Sequence, residues 1–263
     1  MTMNGNDLST ALYWALVFFF GTLWGSFFYT LALRFTSPSF QGRFFMTLIY
    51  PSSCPRCGEK ISFMGLVPLL GYLFYRGKCR QCGGKISLLY PFTEFFFGAL
   101  GCVMAGSRGI TIESLLLFVV LGLAFAVSII DIKTMLIPNS IMLALLALSI
   151  TRVAMGGSVR DHLTGALGMF AFFLIILLLF PGSFGGGDVK YATVIGFLMG
   201  PWHSIVVMEV ALITGSLTGV AYVLLTRGTF RAKIPFAPFL SAGLFSAVLY
   251  GRELILFYNS VVY

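Results

Sequence analysis

Long apolar segments, each nearly free of charged residues, follow one another along almost the whole chain. Hydrophobic residues make up 58% of the 263 positions and charged residues only 10%, whereas soluble domains have about 25% charged residues. A helix needs about 20 mostly apolar residues to cross the hydrocarbon core of a bilayer, and only helices and closed barrels satisfy their backbone groups there. Because the runs have helix length, the sequence predicts an all-α polytopic membrane protein.

About eight such runs are predicted to span the membrane, and the sixth is short enough to be a half-span. They cover residues 10–33, 88–107, 111–130, 135–155, 162–182, 189–201, 203–226 and 235–258. The first cation of the chain is Arg34, so the first run lacks the basic region of a signal peptide and is expected to be retained. The predicted organisation is a first helix at 1–34, a cytoplasmic Cys-rich domain at 35–87 and a multi-helix membrane catalytic domain at 88–263.

Lysine and arginine residues are distributed unevenly between the predicted loops. Cytoplasmic loops collect these residues, so the side with the Cys-rich loop is predicted to be cytoplasmic and both termini to lie outside. That side holds Arg34, Arg43, Arg56, Lys60, Arg76, Lys78, Arg80, Lys85, Lys133, Lys190, Arg227, Arg231 and Lys233. The net charge of +8 is interpreted as having two effects: it orients the protein in the membrane, and it attracts anionic lipid head groups. Because no nucleic-acid motif accompanies the scattered cations, no nucleic-acid partner is expected.

Four cysteines form two pairs in the one stretch that resembles a soluble segment. Cys54-x2-Cys57 and Cys79-x2-Cys82 have a spacing that can place four thiolates around one zinc ion. The alternative is disulfide bonds, which a reducing cytoplasm disfavours. We expect one structural zinc ion per chain, because four protein ligands leave no open position for chemistry.

The segment between the two cysteine pairs, "FMGLVPLLGYLFY" at residues 63–75, is too apolar for a free loop. It is also too short to span a bilayer and is interrupted by Gly65, Pro68 and Gly71. It is predicted either to pack on the zinc subdomain or to lie along the membrane surface.

Two of the nine acids stand out, Asp131 in "DIKTMLIPN" and Asp188 in "GGGDVK", both at the cytoplasmic ends of predicted spans. Each is followed by an apolar residue and then a lysine, Lys133 or Lys190. Either acid alone can be a solvated helix end. Acids within a membrane are costly and usually functional, and two close carboxyl groups share a proton, so that one acts as acid and the other as base. Such a pair can activate water against a peptide carbonyl and protonate the departing amine.

The glycines before Asp188 are expected to assist this chemistry as an active-site loop. Gly185 and Gly187 can take backbone angles closed to other residues and let a substrate strand approach. Asp188 is predicted to lie in the first turn of the next helix, where the macrodipole favours a carboxylate. A phosphate-binding loop is the competing interpretation, but its Gly-Lys-Ser or Gly-Lys-Thr is absent. Pro138 is expected to end the helix of Asp131 and to suit the first turn of the next helix.

Seven motifs in this order resemble the type IV prepilin peptidases, membrane aspartyl proteases of the GxGD class. They are "GSFFYTLALR", "SSCPRCGEKI", "YRGKCRQCGGKIS", "YPFTE", "DIKTMLIPN", "GGGDVK" and "IPFAPFL". The sequence departs from the family pattern at Tyr29, where the family has Asn, at Leu88-Leu89, which replaces a more polar pair, and at Ala237, where the family has Gly.

The resemblance implies a bacterial inner-membrane enzyme that cuts prepilin or pseudopilin precursors on the cytoplasmic side, between a basic leader and a hydrophobic helix. Asp131 and Asp188 match the catalytic positions. Many family members also methylate the new amino terminus with S-adenosylmethionine, and Gly77 and Lys78 stand in the "RGKC" block associated with that activity.

Two other classes of function compete with the peptidase. In a proton- or cation-coupled transporter the acids would relay protons beneath a regulatory zinc ribbon, but both acids lie near one face and not at the midplane. In a membrane scaffold the zinc ribbon would bind partners, and replacing the aspartates would have no effect.

Overall fold

The computed structural model describes residues 5–37, 47, 49–180, 184–226 and 234–262. Within these residues the chain is helical, with two isolated bridges, Ser53 to Lys60 and Lys78 to Lys85, and no strand. In chain order the helices discussed below are α1 (Gly5–Thr36), α2 (Phe63–Leu66), α3 (Leu70–Phe74), α4 (Leu89–Arg108), α5 (Ile112–Thr134), α6 (Asn139–Ala154), α7 (Val159–Leu179), α8 (Gly186–Thr226) and α9 (Ala237–Val262). The predicted all-α fold is confirmed.

Six helices in the described part of the chain are long and apolar enough to cross a membrane, which makes this a multi-pass membrane protein. They are Leu8–Thr36 of α1, α4, α5, α7, Gly186–Leu225 of α8 and Ala237–Tyr258 of α9. The predicted run at 135–155 corresponds to α6, an apolar helix of only 16 residues. Pro138 is the N-cap residue of α6, one position before the first turn where it was expected. The runs predicted at 189–201 and 203–226 are the two halves of α8.

A break divides α8 at Gly200, which has a left-handed backbone (φ 72°) and is followed by Pro201. Because proline has no N–H, carbonyl groups before the break lack their usual helical partners. Two side chains replace those partners. Arg152 Nη1 donates to the Leu198 carbonyl (2.5 Å), and His162 Nδ1 donates to the preceding carbonyl (2.6 Å). The first half, residues 186–199, rises about 21 Å, which is less than the hydrocarbon core of about 30 Å.

Two compact units, Met1–Phe118 and Val119–Tyr263, divide the chain. In the first, α1 and α4 pack backbone against backbone. A Cβ added at Gly21 would lie 2.5 Å from the Phe97 carbonyl oxygen, and one added at Gly25 would lie 2.6 Å from the Thr93 carbonyl oxygen. Small residues four positions apart allow membrane helices to approach this closely.

In the second unit α8 is the central helix, in contact with α6, α7 and α9. Gly165 of α7 and Gly196 of α8 face each other so closely that a Cβ added to either would overlap the carbonyl oxygen of the other. Gly243 of α9 lies in the same way against the Val207 carbonyl of α8. Because these glycines bring the backbones together, α8 is held on two sides.

Replacing Gly165 by leucine should destabilise the protein by about 1–3 kcal/mol or more, because the added side chain overpacks the contact with Gly196. Gly168 on the same helix is the matched control, since a Cβ added there has nothing within 4 Å. Thermal unfolding of the Gly165→Leu and Gly168→Leu variants in detergent measures the difference. Equal melting temperatures would show that α7 and α8 do not depend on this contact.

Candidate active site and metal centre

The carboxyl group of Asp131 lies in the last turn of α5 and is 5% exposed. Its Oδ2 accepts a hydrogen bond (3.1 Å) from the N–H of Ala237, the first residue of α9. The first N–H groups of a helix have no partner within it, and the helix N-terminus carries a partial positive charge. Asp131 therefore provides an acceptor for the first N–H group of α9, and this hydrogen bond holds one oxygen of the carboxyl group in place.

Asp188 lies in the first turn of α8, as the sequence predicted, and its side chain is partly buried. Its Oδ2 accepts a hydrogen bond (2.8 Å) from the N–H of Gly185, and its own N–H donates to the Gly185 carbonyl (3.0 Å). These two hydrogen bonds close the turn that leads into α8. One oxygen of the carboxyl group is thus held by the backbone N–H of Gly185.

The structure brings the two aspartates together within the unit Val119–Tyr263, where their carboxyl groups interact electrostatically. The loops beside them are also in contact. A Cβ added at Gly187 would lie 3.4 Å from Cβ of Ile137, in the loop that follows α5. The two blocks that the sequence singled out therefore form one site.

Gly185 and Gly187 do not adopt the special backbone angles that the sequence analysis expected, because neither has a positive φ. The turn into α8 is closed by the hydrogen bonds of Asp188, so it needs no left-handed residue. The missing side chains leave space instead, since Gly185 is exposed and Gly187 partly exposed. Lys133 and Lys190 are also exposed.

A buried chain of hydrogen bonds begins one helical turn after Asp188, on residues that the sequence analysis missed. The Tyr191 side chain is 0% exposed, and its hydroxyl is 2.8 Å from Ser241 Oγ. Ser241 Oγ donates to the Ala124 carbonyl (3.0 Å). Because a serine hydroxyl has one hydrogen to give, the Tyr191 hydroxyl is the donor to Ser241.

This chain joins the three helices that carry the site. Tyr191 belongs to α8, Ser241 follows Ala237 by one turn in α9, and Ala124 precedes Asp131 by two turns in α5. A tyrosine one turn after a candidate catalytic acid, in an otherwise apolar run, is the sequence signal that could have identified it. The partners of the tyrosine, in contrast, are decided by packing alone.

Four phenylalanines pack together where the chain enters α8 and α9. The ring of Phe184, directly before the glycines, is centred 4.5 Å from the ring of Phe236, directly before Ala237. Phe173 of α7 contacts both rings, and Phe239 contacts Phe236. These contacts hold together the two helix entries whose N–H groups bind the aspartates.

The four cysteines form a second site, in the unit Met1–Phe118. Their sulfur atoms all lie within 4.8 Å of one another, with 3.9 Å between Cys54 and Cys82 and 4.0 Å between Cys57 and Cys79. A disulfide bond is about 2.05 Å long, and the cysteines are free thiols, so the disulfide alternative is not formed. Backbone N–H groups of Cys57 and Arg56 lower the pKa of the Cys54 thiol to about 7. A backbone N–H of Glu59 acts to lower the pKa of the Cys57 thiol, but burial and the neighbouring thiols act in the opposite direction and raise this pKa to about 11. The donor set fits one metal ion.

Each cysteine pair lies in the same kind of turn, and the sequence analysis overlooked the repeat that predicts this. Residues 54–60 and 79–85 both have the pattern Cys-x2-Cys-Gly-x-Lys. The glycine of each pattern has a left-handed backbone, with φ 72° at Gly58 and 65° at Gly83. Since such angles favour glycine, the repeat specifies two equivalent turns that face each other across the metal site.

Gly77 and Lys78, for which the family resemblance implies a part in methylation, precede the second turn. Gly77 is buried beneath Tyr72, because a Cβ added there would lie 2.6 Å from the tyrosine hydroxyl, and its φ is 65°. The fold itself therefore requires a glycine at this position. Lys78 is exposed, so of the two it is the residue whose side chain is open to a ligand.

Family models match both compact units. The bacterial peptidase A24 N-terminal domain matches residues 19–107, and the type IV leader peptidase family matches residues 118–224. The first match contains the four cysteines, and the second contains both aspartates. The chain therefore carries its four-cysteine cluster and its acid pair in two separately recognised segments.

Curated relatives extend over most of the chain. The prepilin leader peptidase/N-methyltransferase of Bacillus subtilis (strain 168) is 36% identical over 247 residues, which cover 93% of this chain and 97% of the relative. Proteins of the same name from Burkholderia pseudomallei (strain 1026b) and Aeromonas hydrophila are 31% and 26% identical, covering 78% and 94% of this chain and 69% and 94% of the relatives. No solved structure matches the chain. The chain belongs to the type IV leader peptidase family and is a membrane peptidase.

Replacing Ser241 by alanine should destabilise the protein more than replacing Tyr191 by phenylalanine. Ser241→Ala leaves the Tyr191 hydroxyl buried without an acceptor, which costs about 1–3 kcal/mol, whereas Tyr191→Phe leaves Ser241 bound to Ala124. The double variant should be no less stable than Ser241→Ala, because it also removes the unpaired hydroxyl. Thermal unfolding of the three variants checks this order. Fully additive losses would contradict the hydrogen-bond chain.

Proposed function

We propose that the protein removes the leader peptide from type IV prepilin or pseudopilin precursors, with Asp131 and Asp188 as the catalytic pair. The observation that carries the proposal is the convergence of these two carboxyl groups, which come from different helices, inside the segment that matches the leader peptidase family. The names of the relatives support the substrate class. Family membership also favours peptide cleavage over the transport of protons or cations.

The proposed mechanism uses one protonated and one ionised carboxyl group. Two close carboxyl groups at the edge of a bilayer do not readily ionise together, so one keeps its proton. The ionised group takes a proton from a water molecule as the water attacks the scissile carbonyl, and the protonated group gives its proton to the departing amine. The backbone N–H groups of Ala237 and Gly185 hold Oδ2 of each aspartate, which leaves Oδ1 for water and substrate.

The path of the substrate strand is assigned to the loop around Asp188. Gly185 and Gly187 present little side-chain bulk beside the carboxyl group, so an extended strand can approach the backbone there. Lys133 and Lys190 are proposed to lie at the rim of this path, where both are exposed.

The proposed location is the inner membrane of a bacterium, with the aspartates at the cytoplasmic face. The support is the concentration of lysine and arginine in the loops on that side of the predicted spans. Four of these cations, Arg43, Arg227, Arg231 and Lys233, lie outside the described residues. The same proposal divides the chain into a first transmembrane helix at 1–34, a cytoplasmic Cys-rich domain at 35–87 and a membrane catalytic domain at 88–263.

Asp131→Asn and Asp188→Asn should each lower the rate of prepilin cleavage by about 10²-fold or more, because an amide cannot exchange the proton. Asparagine keeps an acceptor oxygen for the backbone N–H, so both variants should stay folded. Asp161→Asn, at an exposed acid in the first turn of α7, is the control. Cleavage of a purified prepilin in detergent is the measurement. A near wild-type rate in either aspartate variant would remove that residue from the mechanism.

The metal at the four cysteines is proposed to be zinc with a structural role. Four thiolates at about 2.3 Å from a tetrahedral zinc ion lie somewhat under 4 Å apart, close to the separations of 3.9 and 4.0 Å found here. With four protein ligands the ion has no position for substrate, so it stabilises the two turns.

Metal analysis of the purified protein should find about one zinc ion per chain, and Cys57→Ser should lose it, because three thiolates bind the ion much more weakly. Cys102→Ser, which changes the cysteine outside the cluster, is the control. Partial cleavage should survive the loss of the metal. Full retention of zinc by the Cys57→Ser variant would contradict the four-ligand site.

Methylation of the new amino terminus by S-adenosylmethionine is proposed as a second activity, on the names of the relatives and the position of Lys78. Lys78→Ala should reduce methylation while leaving cleavage and zinc content unchanged, and Lys85→Ala, at its bridge partner, is the control. Mass spectrometry of the cleaved product, with and without S-adenosylmethionine, detects one added methyl group. Equal methylation by both variants would exclude Lys78 from the activity.

A further inference from the structure

The two short helices between the cysteine pairs, α2 and α3, direct apolar side chains outwards. Their exposed fractions run from 46% at Leu66 to 86% at Phe63. The exposed set is Phe63, Met64, Leu66, Leu70, Leu73 and Phe74. The segment therefore does not bury these side chains on the Cys-rich insertion. An apolar surface of this kind marks a binding site for a protein or a membrane.

On the inner side, α2 and α3 contact each other through glycines, and the residues that flank the two helices are joined by a hydrogen bond between hydroxyl groups. A Cβ added at Gly71 would lie 2.7 Å from the Gly65 carbonyl oxygen, so the helices cross backbone against backbone. The Tyr75 hydroxyl is hydrogen bonded to Ser62 (2.9 Å). The two helices thus pack on each other through small residues, and their large apolar side chains are left on the outer face. This arrangement suits an outer face that contacts lipid.

The depth of the pair relative to the membrane helices follows from one hydrogen bond. The N–H of Leu69, between α2 and α3, donates a hydrogen bond to Oε2 of Glu94 (2.7 Å). The Glu94 side chain is also hydrogen bonded to Ser26 of α1. Glu94 lies in the second turn of α4, about 7 Å along the axis from its start. Because α4 is just long enough to cross the core, Leu69 lies at the membrane boundary, where interfacial helices are buried by about 5–10 Å.

The charges around the pair identify the lipid surface that it fits. Residues 49–93 contain the acid Glu59 and the exposed cations Arg56, Lys60, Arg76, Lys78, Arg80 and Lys85. A basic surface beside apolar side chains is attracted to anionic head groups. The same charges repel the basic leader of the proposed substrate, so they disfavour a precursor as the occupant.

We propose that α2 and α3 form an anchor that inserts its apolar side chains into the surface of an anionic bilayer and holds the metal-binding turns against the membrane. The anchor goes beyond the proposed peptidase function and does not rest on it. It explains why a segment too short to span is as apolar as the spans themselves. It also gives the buried Glu94 a role, since this side chain fixes the anchor to α4.

Fluorescence quenching in nanodiscs tests the anchor in the full-length protein. Trp14, Trp24 and Trp202 are replaced by phenylalanine, and single probes are introduced by Phe74→Trp or, as the control, Gln81→Trp, an exposed position between Cys79 and Cys82. The discs contain phosphatidylglycerol and phosphatidylcholine with brominated or ordinary acyl chains. Zinc content confirms that each variant keeps its metal-binding turns.

Emission from the Phe74→Trp variant should drop by about half or more in brominated discs and lie at shorter wavelength, because an interfacial probe contacts the upper acyl chains. Emission from the Gln81→Trp variant should be unchanged. In discs of phosphatidylcholine alone the quenching should be weaker. No quenching of the Phe74→Trp variant, equal quenching of both variants, or quenching only after a prepilin is added would overturn the proposal. Equal quenching with and without phosphatidylglycerol would overturn its preference for anionic lipid.

Discussion

Backbone groups that a membrane helix leaves unpaired must find partners inside the protein, because hydrocarbon offers none. In the unit Val119–Tyr263 side chains meet this need at each of three irregular points. Arg152 and His162 bind carbonyl groups at the break in α8, and Asp131 accepts from the first N–H of α9. Asp188 closes the turn into α8. The two acids are therefore part of the fold as well as of the proposed chemistry.

This double role explains how the acid pair is held in one place. Each carboxyl group has one oxygen tied to backbone, and the helices that supply the N–H donors are braced by the bonds from Tyr191 to Ser241 and on to Ala124. Close contacts such as Gly165 to Gly196 fix the helix backbones. Because closely packed interiors deform little, these contacts restrict movement of the helices that carry the two aspartates.

The unit Met1–Phe118 solves a different problem, that of holding a small polar insertion at a membrane. Its two cysteine turns have no sizeable apolar core of their own, and the proposed zinc ion would supply the cross-link that such small folds need. Glu94 ties the insertion to α4, and Gly25 packs α1 against the same helix. In its contacts α4 thus belongs with α1 and the insertion, whereas its apolarity alone grouped it with the later spans.

The sequence by itself determined the elements and their chemistry. Apolar runs of helix length predicted an all-α membrane protein, the doubled Cys-x2-Cys predicted the thiol cluster, and the two Asp-x-Lys blocks named the acids that the structure brings together. These features can be predicted from the sequence because they are local. They depend on hydropathy, on the spacing of the ligands and on the backbone conformations that proline and glycine favour. Tertiary structure alone decided which backbone groups bind the aspartates and that Tyr191 reaches Ser241. It also decided that Gly185 and Gly187 provide space and not unusual angles, and that the large apolar side chains of α2 and α3 face outwards. Those outcomes depend on which helix faces which, and they arise from contacts between residues far apart in the chain, which no local pattern encodes.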